Sequence, residues 1–183
     1  MKKLITSALL LASVVTQVFV TVVHAQTTPA KQPRYKDVVA DNPNAEADMK
    51  VVGDFVNALT NADLDKAKSL LALKYKGYGP SLLDSSTAEQ TLTGWKENYK
   101  MQMNRKVSFV TQTFKVLLGD LKGSWVSLWG NYSFTQGGKN VSFPFQYTAR
   151  VSSGKIDTDR IYYDRMFIMQ TLGFKVTPPE PAK

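Results

Sequence analysis

Gly154-Lys155-Ile156-Asp157-Thr158-Asp159-Arg160-Ile161-Tyr162-Tyr163-Asp164-Arg165-Met166-Phe167-Ile168-Met169-Gln170-Thr171-Leu172-Gly173 reads as a turn, a strand and a short helix in direct succession. Ser153-Gly154 is turn chemistry, since glycine enters left-handed backbone at no steric cost. Ile156 to Tyr163 is rich in β-branched and aromatic residues, which suit a pleated, half-buried surface. Asp164 stands where a helix cap is needed: its carboxylate accepts from the free N–H groups of a first turn. Gly173 then closes that helix from the C′ position. Along the strand, Asp157 and Asp159 share one face, and Thr158, Arg160 and Tyr162 share the other. The two aspartates read as a solvated, salt-bridged outer face. Arg160 is less clear-cut, because its face carries Tyr162.

Upstream of this stretch the apolar period is two. Val141, Phe143, Phe145, Tyr147, Ala149 and Val151 alternate with Ser142, Pro144, Gln146, Thr148 and Arg150. That is a strand with one buried face. Pro144 cannot donate to a ladder, so an edge or a bulge is expected there. Gln136-Gly-Gly-Lys-Asn140 is a hairpin turn, preceded by a strand from Trp125 to Phe134. Gly119-Asp-Leu-Lys-Gly123 is another turn, preceded by a strand from Val107 to Leu118. Short turns make antiparallel neighbours. The C-terminal half is therefore expected to be a four-stranded antiparallel meander ending in a short helix.

The N-terminal half is helical. Met49, Val52, Phe55, Val56 and Leu59 form one apolar stripe, so Asn44 to Leu59 is a helix. Thr60 to Asp63 breaks it, and Leu64 to Leu73 is expected to be a second helix. Lys74-Tyr75-Lys76-Gly77-Tyr78-Gly79-Pro80-Ser81 holds two glycines and a proline, which rule out helix and suggest a short extended piece entering a turn. Thr87-Ala-Glu-Gln90 fits a capping box and opens a third helix to about Met103, with Leu92, Trp95, Tyr99 and Met103 inward. Helices followed by strands give an α+β class, with helices on one face of a curved antiparallel sheet.

This order resembles the NTF2-like cone, and specifically its SnoaL-like branch. The resemblance rests on Tyr78-Gly79-Pro80 before the third helix and on Gly154-Lys155-Ile156, Tyr162-Tyr163-Asp164 and Gln170-Thr171-Leu172-Gly173 at the end. It covers about Asn44 to Phe174. It implies a sheet wrapped around a pocket, closed on one side by the helices. The family includes isomerases, cyclases, dehydratases and epoxide hydrolases that use no cofactor, and pocketed proteins with no known chemistry. Fold alone does not choose among them.

The ends and the composition bound the rest. Met1-Lys-Lys, an apolar run from Leu4 to Val23, and Val23-His-Ala25 are the marks of a secretory signal peptide cut after Ala25. An uncleaved anchor is the alternative; Thr6, Ser7, Ser13, Thr16, Gln17 and Thr21 dilute the run. The remaining organisation is a flexible polar linker over 26–43, the folded domain over 44–176 and a Pro-rich tail over 177–183. The lysine-rich start and plain leader look bacterial, so the chain is expected to be exported, periplasmic or extracellular. On that expectation Asn131-Tyr-Ser133 and Asn140-Val-Ser142 match glycosylation sequons by coincidence.

There is no cysteine, so neither a disulfide nor a thiol nucleophile is available, and no lipid-modified cysteine can follow the leader. The one histidine, His24, falls inside the leader. A mature chain without histidine has no His–Asp dyad or Ser–His–Asp triad and no His-based metal site. No metal and no cofactor is expected. Net charge is +8, of which Lys2 and Lys3 supply two, leaving +6 after a cut at Ala25. The basic residues are dispersed, so no nucleic-acid face is expected, and after cleavage no membrane segment remains.

The resemblance implies a pocket carboxylate as general base. Asp164 is the candidate, in surroundings supplied by Ile161, Tyr162, Tyr163 and Phe167; the competing role is simply to cap its helix. Tyr78, or Tyr75, is the candidate hydroxyl donor to a substrate oxygen. Many SnoaL-like members carry histidine near the position of Tyr78. Arg160 is the candidate to position an anion or a water, and with Asp157 and Asp159 on the same strand it could form the water-activating Arg–Asp arrangement that the resemblance to epoxide hydrolases implies; the competing role of the two aspartates is the solvated outer face. Tyr75, Trp95, Tyr99 and Tyr162 are expected to line the pocket. Trp125 and Trp129 share a face with Ser127 and Asn131, a candidate homodimer surface. Three functions follow: a binder of a small, largely apolar molecule, an acid–base enzyme, or a dimerising interaction module.

Overall fold

The computed structural model describes residues 32–81, 83–175 and 177. The expected signal peptide, the first part of the expected linker and nearly all of the Pro-rich tail lie outside the described residues. Everything below belongs to one unit that begins at Pro33.

The elements run α1 (Tyr35–Val38), β1 (Val39–Ala40), α2 (Ala45–Thr60), α3 (Leu64–Ser69), β2 (Leu71–Tyr78), β3 (Ser85–Thr87), α4 (Ala88–Met101), β4 (Met103–Val116), β5 (Gly123–Gln136), β6 (Lys139–Ser152), β7 (Lys155–Tyr163) and α5 (Arg165–Leu172). The meander β4–β5–β6–β7 is present as expected. Its turns are chemically forced: Gly137 and Gly138 both have positive φ, 57° and 75°, and connect Gln136 to Lys139 as a two-residue hairpin loop. β7 ends opposite Phe145. From Lys139 up to Pro144 β6 therefore has a neighbour on one side only, which is where a proline is tolerated.

The sheet is larger than four strands, and it is not purely antiparallel. Its order is β1-β4-β5-β6-β7-β2-β3. β2 runs parallel to β7 and antiparallel to β3. Leu71 to Leu73, expected as the end of a helix, are strand instead. The N–H of Ile156 donates to Leu70 O at 2.9 Å, and the open edge of β7 then recruits the following residues. Ladder bonds and burial of Leu71 outweigh a helix preference worth a few tenths of a kcal/mol per residue. The expected linker also enters the fold over its second half: Val39 and Ala40 pair with Val116 and Lys115, and Asn42 is buried.

α2 lies across the inner face of the sheet and buries Val52, Phe55 and Leu59 from its apolar stripe. The facing core comes from alternate residues of the strands, among them Val126, Leu128, Tyr132 and Phe134 on β5 and Phe143, Phe145, Tyr147, Ala149 and Val151 on β6. α4 starts with the full capping box of Thr87 and Gln90. No helix among the described residues is long and apolar enough to cross a membrane.

Candidate functional site

β7 carries one more residue than its partner between two paired positions. Val151 pairs with Ile156, and Arg150 pairs with Thr158, so Asp157 is a bulge. A single inserted residue reverses which side chains point inward. Ile156 is inside before the bulge; Asp159, Ile161 and Tyr163 face inward after it. The expected face assignment is thus wrong for this strand. Asp159, expected outside, is buried with 4% of its surface exposed, and Arg160 and Tyr162, expected on the other face, point out. Asp157 does sit on the outer side, paired with Arg150 at 2.9 Å.

Asp159 is the centre of the inner face. Directly across from it are the two smallest options, Ala149 on β6 and Gly77 on β2. The residues one step along the same face are Tyr147 and Tyr75, and with nothing bulky opposite, both rings reach across diagonally. Tyr75 OH and Tyr147 OH each donate to the same carboxylate oxygen, Asp159 Oδ2, at 2.6 Å. These are short, charge-assisted bonds. Gly77 is required by this packing. A Cβ there would run into the Tyr75 hydroxyl and come within 3.1 Å of Asp159 Oδ1.

Burial pushes the Asp159 carboxyl up to about 6, against the pull of hydrogen bonds from Tyr147, Tyr75 and the Tyr78 backbone. Burial, and then the Asp159 charge, push both tyrosines far above the ordinary phenol range. They stay protonated and act as donors. The triad opens into a cavity of about 550 Å³, a size suited to a small molecule. Its walls are mainly aromatic: Phe55 stacks on Tyr147 at 6.2 Å, Trp95 meets Tyr132 edge-on at 5.9 Å, and Phe143 meets Tyr163 at 5.6 Å. Asp84 and Arg165, paired at 3.0 Å, stand among the lining residues where α5 meets the turn before β3.

The sequence-derived candidates separate. Tyr75 is in the triad, and Trp95 lines the cavity. Tyr78 stands at the cavity edge, with the Arg160 guanidinium 4.9 Å and the Lys76 ammonium 5.4 Å from its ring centre. Arg160 itself is exposed and does not line the cavity. Asp164 caps α5, accepting from the Phe167 N–H at 2.8 Å, and is exposed. Its carboxylate is committed to its own helix and cannot serve as the cavity base. Tyr99 donates to Leu59 O at 2.7 Å beneath Arg105 and does not line the cavity. Tyr162 is half-exposed on the outer face. Asp159 was expected only as a partner of Arg160 or as a surface charge, and Tyr147 only as one of the buried residues of its strand. The available signal was parity: Ile156 and Ile161 both look like inward residues, yet an unbroken strand cannot put both inside. Among the described residues no group of His, Cys, Asp and Glu could hold a metal ion.

No protein-family model and no curated protein matches the sequence. Solved structures do match. An LEH-like epoxide hydrolase from M. tuberculosis superposes with a TM-score of 0.56 at 20% identity, covering 71% of this chain and 92% of that one. A hypothetical protein with a ketosteroid isomerase-like fold from Catenulispora acidiphila, in complex with trimethylamine, gives 0.56 at 19%, covering 70% and 98%. An NTF2-like protein of unknown function from Burkholderia pseudomallei gives 0.57 at 13%, covering 70% and 98%. At such identities the likeness is one of fold: this chain has the NTF2-like cone.

Proposed function

We propose that this chain binds a small, largely apolar molecule in the cone cavity and presents one polar group of it to Asp159. The observation that carries this reading is a buried carboxylate, held by two tyrosine hydroxyls, at the wall of an aromatic cavity. Native mass spectrometry of the protein isolated from its own cells tests the reading. One small molecule per chain is expected. An empty protein that also takes up no neutral apolar probe in solution overturns it.

A second reading is acid–base catalysis, with Asp159 in the role first given to Asp164. A carboxyl with a pKa of about 6 both takes and returns a proton near neutral pH. Tyr75 and Tyr147 orient it. The epoxide hydrolase among the structural neighbours is a precedent for an enzyme on this fold, and for nothing finer.

Two proposals complete this reading. Export follows from the leader-like N-terminus, and N-terminal sequencing of exported material would begin at Gln26. Self-association through the outer sheet face follows from a row of exposed apolar side chains. Val110 pairs with Trp129, which pairs with Gln146, opposite Tyr162. Val110, Trp129 and Tyr162 are 70%, 52% and 49% exposed.

A further inference from the structure

The hydrogens at the cavity floor are already spent. Tyr75 and Tyr147 each own one hydroxyl hydrogen, and both hydrogens go to Asp159 Oδ2. What the triad has left to offer a ligand is lone pairs: those of the two phenol oxygens and those of Asp159 Oδ1. Among the described residues no side chain donates to Oδ1, and the only backbone group acting on this carboxyl is that of Tyr78. Asp159 lines the cavity, and Oδ1 is the carboxylate oxygen that neither tyrosine hydroxyl occupies. While Asp159 is ionised, a ketone or ether oxygen brought to the triad itself finds no hydrogen there to accept.

The charge balance points the same way. Three charged side chains line the cavity: Asp84 and Arg165, which pair with each other, and Asp159, which has no cation beside it. An ionised carboxylate held out of water costs several kcal/mol unless a cation offsets it. The walls add a second preference for positive charge. The lining includes the rings of Phe55, Trp95, Tyr132, Tyr147 and Tyr163, and an ammonium group that settles over an aromatic face is attracted to it.

We propose that the ligand of this cavity is a protonated amine on an apolar body, its N–H donating to Asp159 Oδ1 and to the tyrosine oxygens, and its substituents packed against the aromatic wall. This rests on the cavity-binding reading above and names the ligand class. It also gives the site a pH range. The amine needs Asp159 ionised, so affinity falls as pH drops through about 6. The titratable and charged groups around Asp159 are Tyr75 on β2, Tyr147 on β6, Tyr163 on β7, and the Asp84–Arg165 pair; the three tyrosines are raised by burial and do not titrate in that range.

The test is isothermal titration of the full folded chain with two probes of one shape, benzylamine and benzyl alcohol. At pH 7.5 the amine is expected to bind at least about tenfold more tightly, the worth of one charge-assisted hydrogen bond. That preference should vanish in Asp159→Asn. It should also fall in the wild-type chain between pH 7.5 and pH 5, an arm that does not depend on the variant folding. Equal affinity for the two probes, or an amine preference that survives both Asp159→Asn and pH 5, overturns the amine assignment while leaving a cavity binder. If neither probe binds, the cavity-binding reading falls and takes the assignment with it.

Discussion

Asp159→Asn removes the charge at the floor of the cavity and keeps the shape. Its effect on stability can be worked out. Asp159 has a folded-state pKa of about 6 against 3.8 for the ordinary group. At about 1.4 kcal/mol per unit, ionising it costs the folded state roughly 3 kcal/mol more than it costs the unfolded chain. The sign follows from proton counting. Between the two values the folded state holds a proton that the unfolded state has released, so stability falls as pH rises through that window. Asparagine does not titrate and resembles the protonated carboxyl in size. The wild-type and variant chains should therefore have similar stability near pH 3.5. By pH 7.5 the variant should be ahead by up to about 3 kcal/mol, with most of the gap opening between pH 4 and pH 6.5. Urea unfolding followed by tryptophan fluorescence across this range measures it, and every other titrating group cancels in the difference between the two chains. A gap that is flat with pH, or one in which the wild type gains on the variant as pH rises, would refute the reasoning. The first would mean Asp159 is solvated like a surface carboxylate; the second would mean it has a cationic partner. A more stable variant that binds its ligand worse is what a residue kept for function looks like.

The remaining predictions concern the surroundings of that carboxylate. Gly77→Ala places a methyl group against the Tyr75 hydroxyl and Asp159 Oδ1. The chain should lose about 1–3 kcal/mol in urea unfolding, and the Tyr75 resonance should report a changed hydroxyl environment by NMR; an unperturbed spectrum would contradict the packing. Asp164→Ala deletes the cap of α5 and should cost about 1 kcal/mol without altering ligand affinity, since that side chain faces its own helix. Trp129→Glu charges the exposed row on the outer face. It should convert a concentration-dependent dimer to a monomer in analytical ultracentrifugation; a wild-type chain that is monomeric at every concentration would end the self-association proposal.

Much of this fold is legible in local sequence, because much of it is set by local physics. The stripe Val52, Phe55, Leu59 specifies α2, and the Thr87/Gln90 capping box starts α4. The Gly137-Gly138 and Ser153-Gly154 turns fix the hairpins, and Asp164 and Gly173 bracket α5. Trp95 and Tyr75 were recognisable as pocket residues, since an aromatic beside glycines or on an inner helix face has few other places to go. What could not be read locally is anything that depends on a partner strand. β2 is a strand because β7 offers it an edge across more than eighty positions of chain. The site turns on one residue of register: Asp157, bulged between the pairs Val151–Ile156 and Arg150–Thr158, exchanges the faces of Asp159 and Arg160. Strict alternation puts Arg160 inside and leaves Asp159 as a surface charge. The bulge buries a carboxylate among tyrosines and leaves the arginine in water. The stretch from Gly154 to Gly173 thus determined by itself that the chain ends in turn, strand and capped helix, through turn, capping and strand-forming preferences that act over a few residues. Which of its aspartates meets the cavity was decided only when β7 was laid against β6 and β2, because register is a property of paired strands and no single strand carries it.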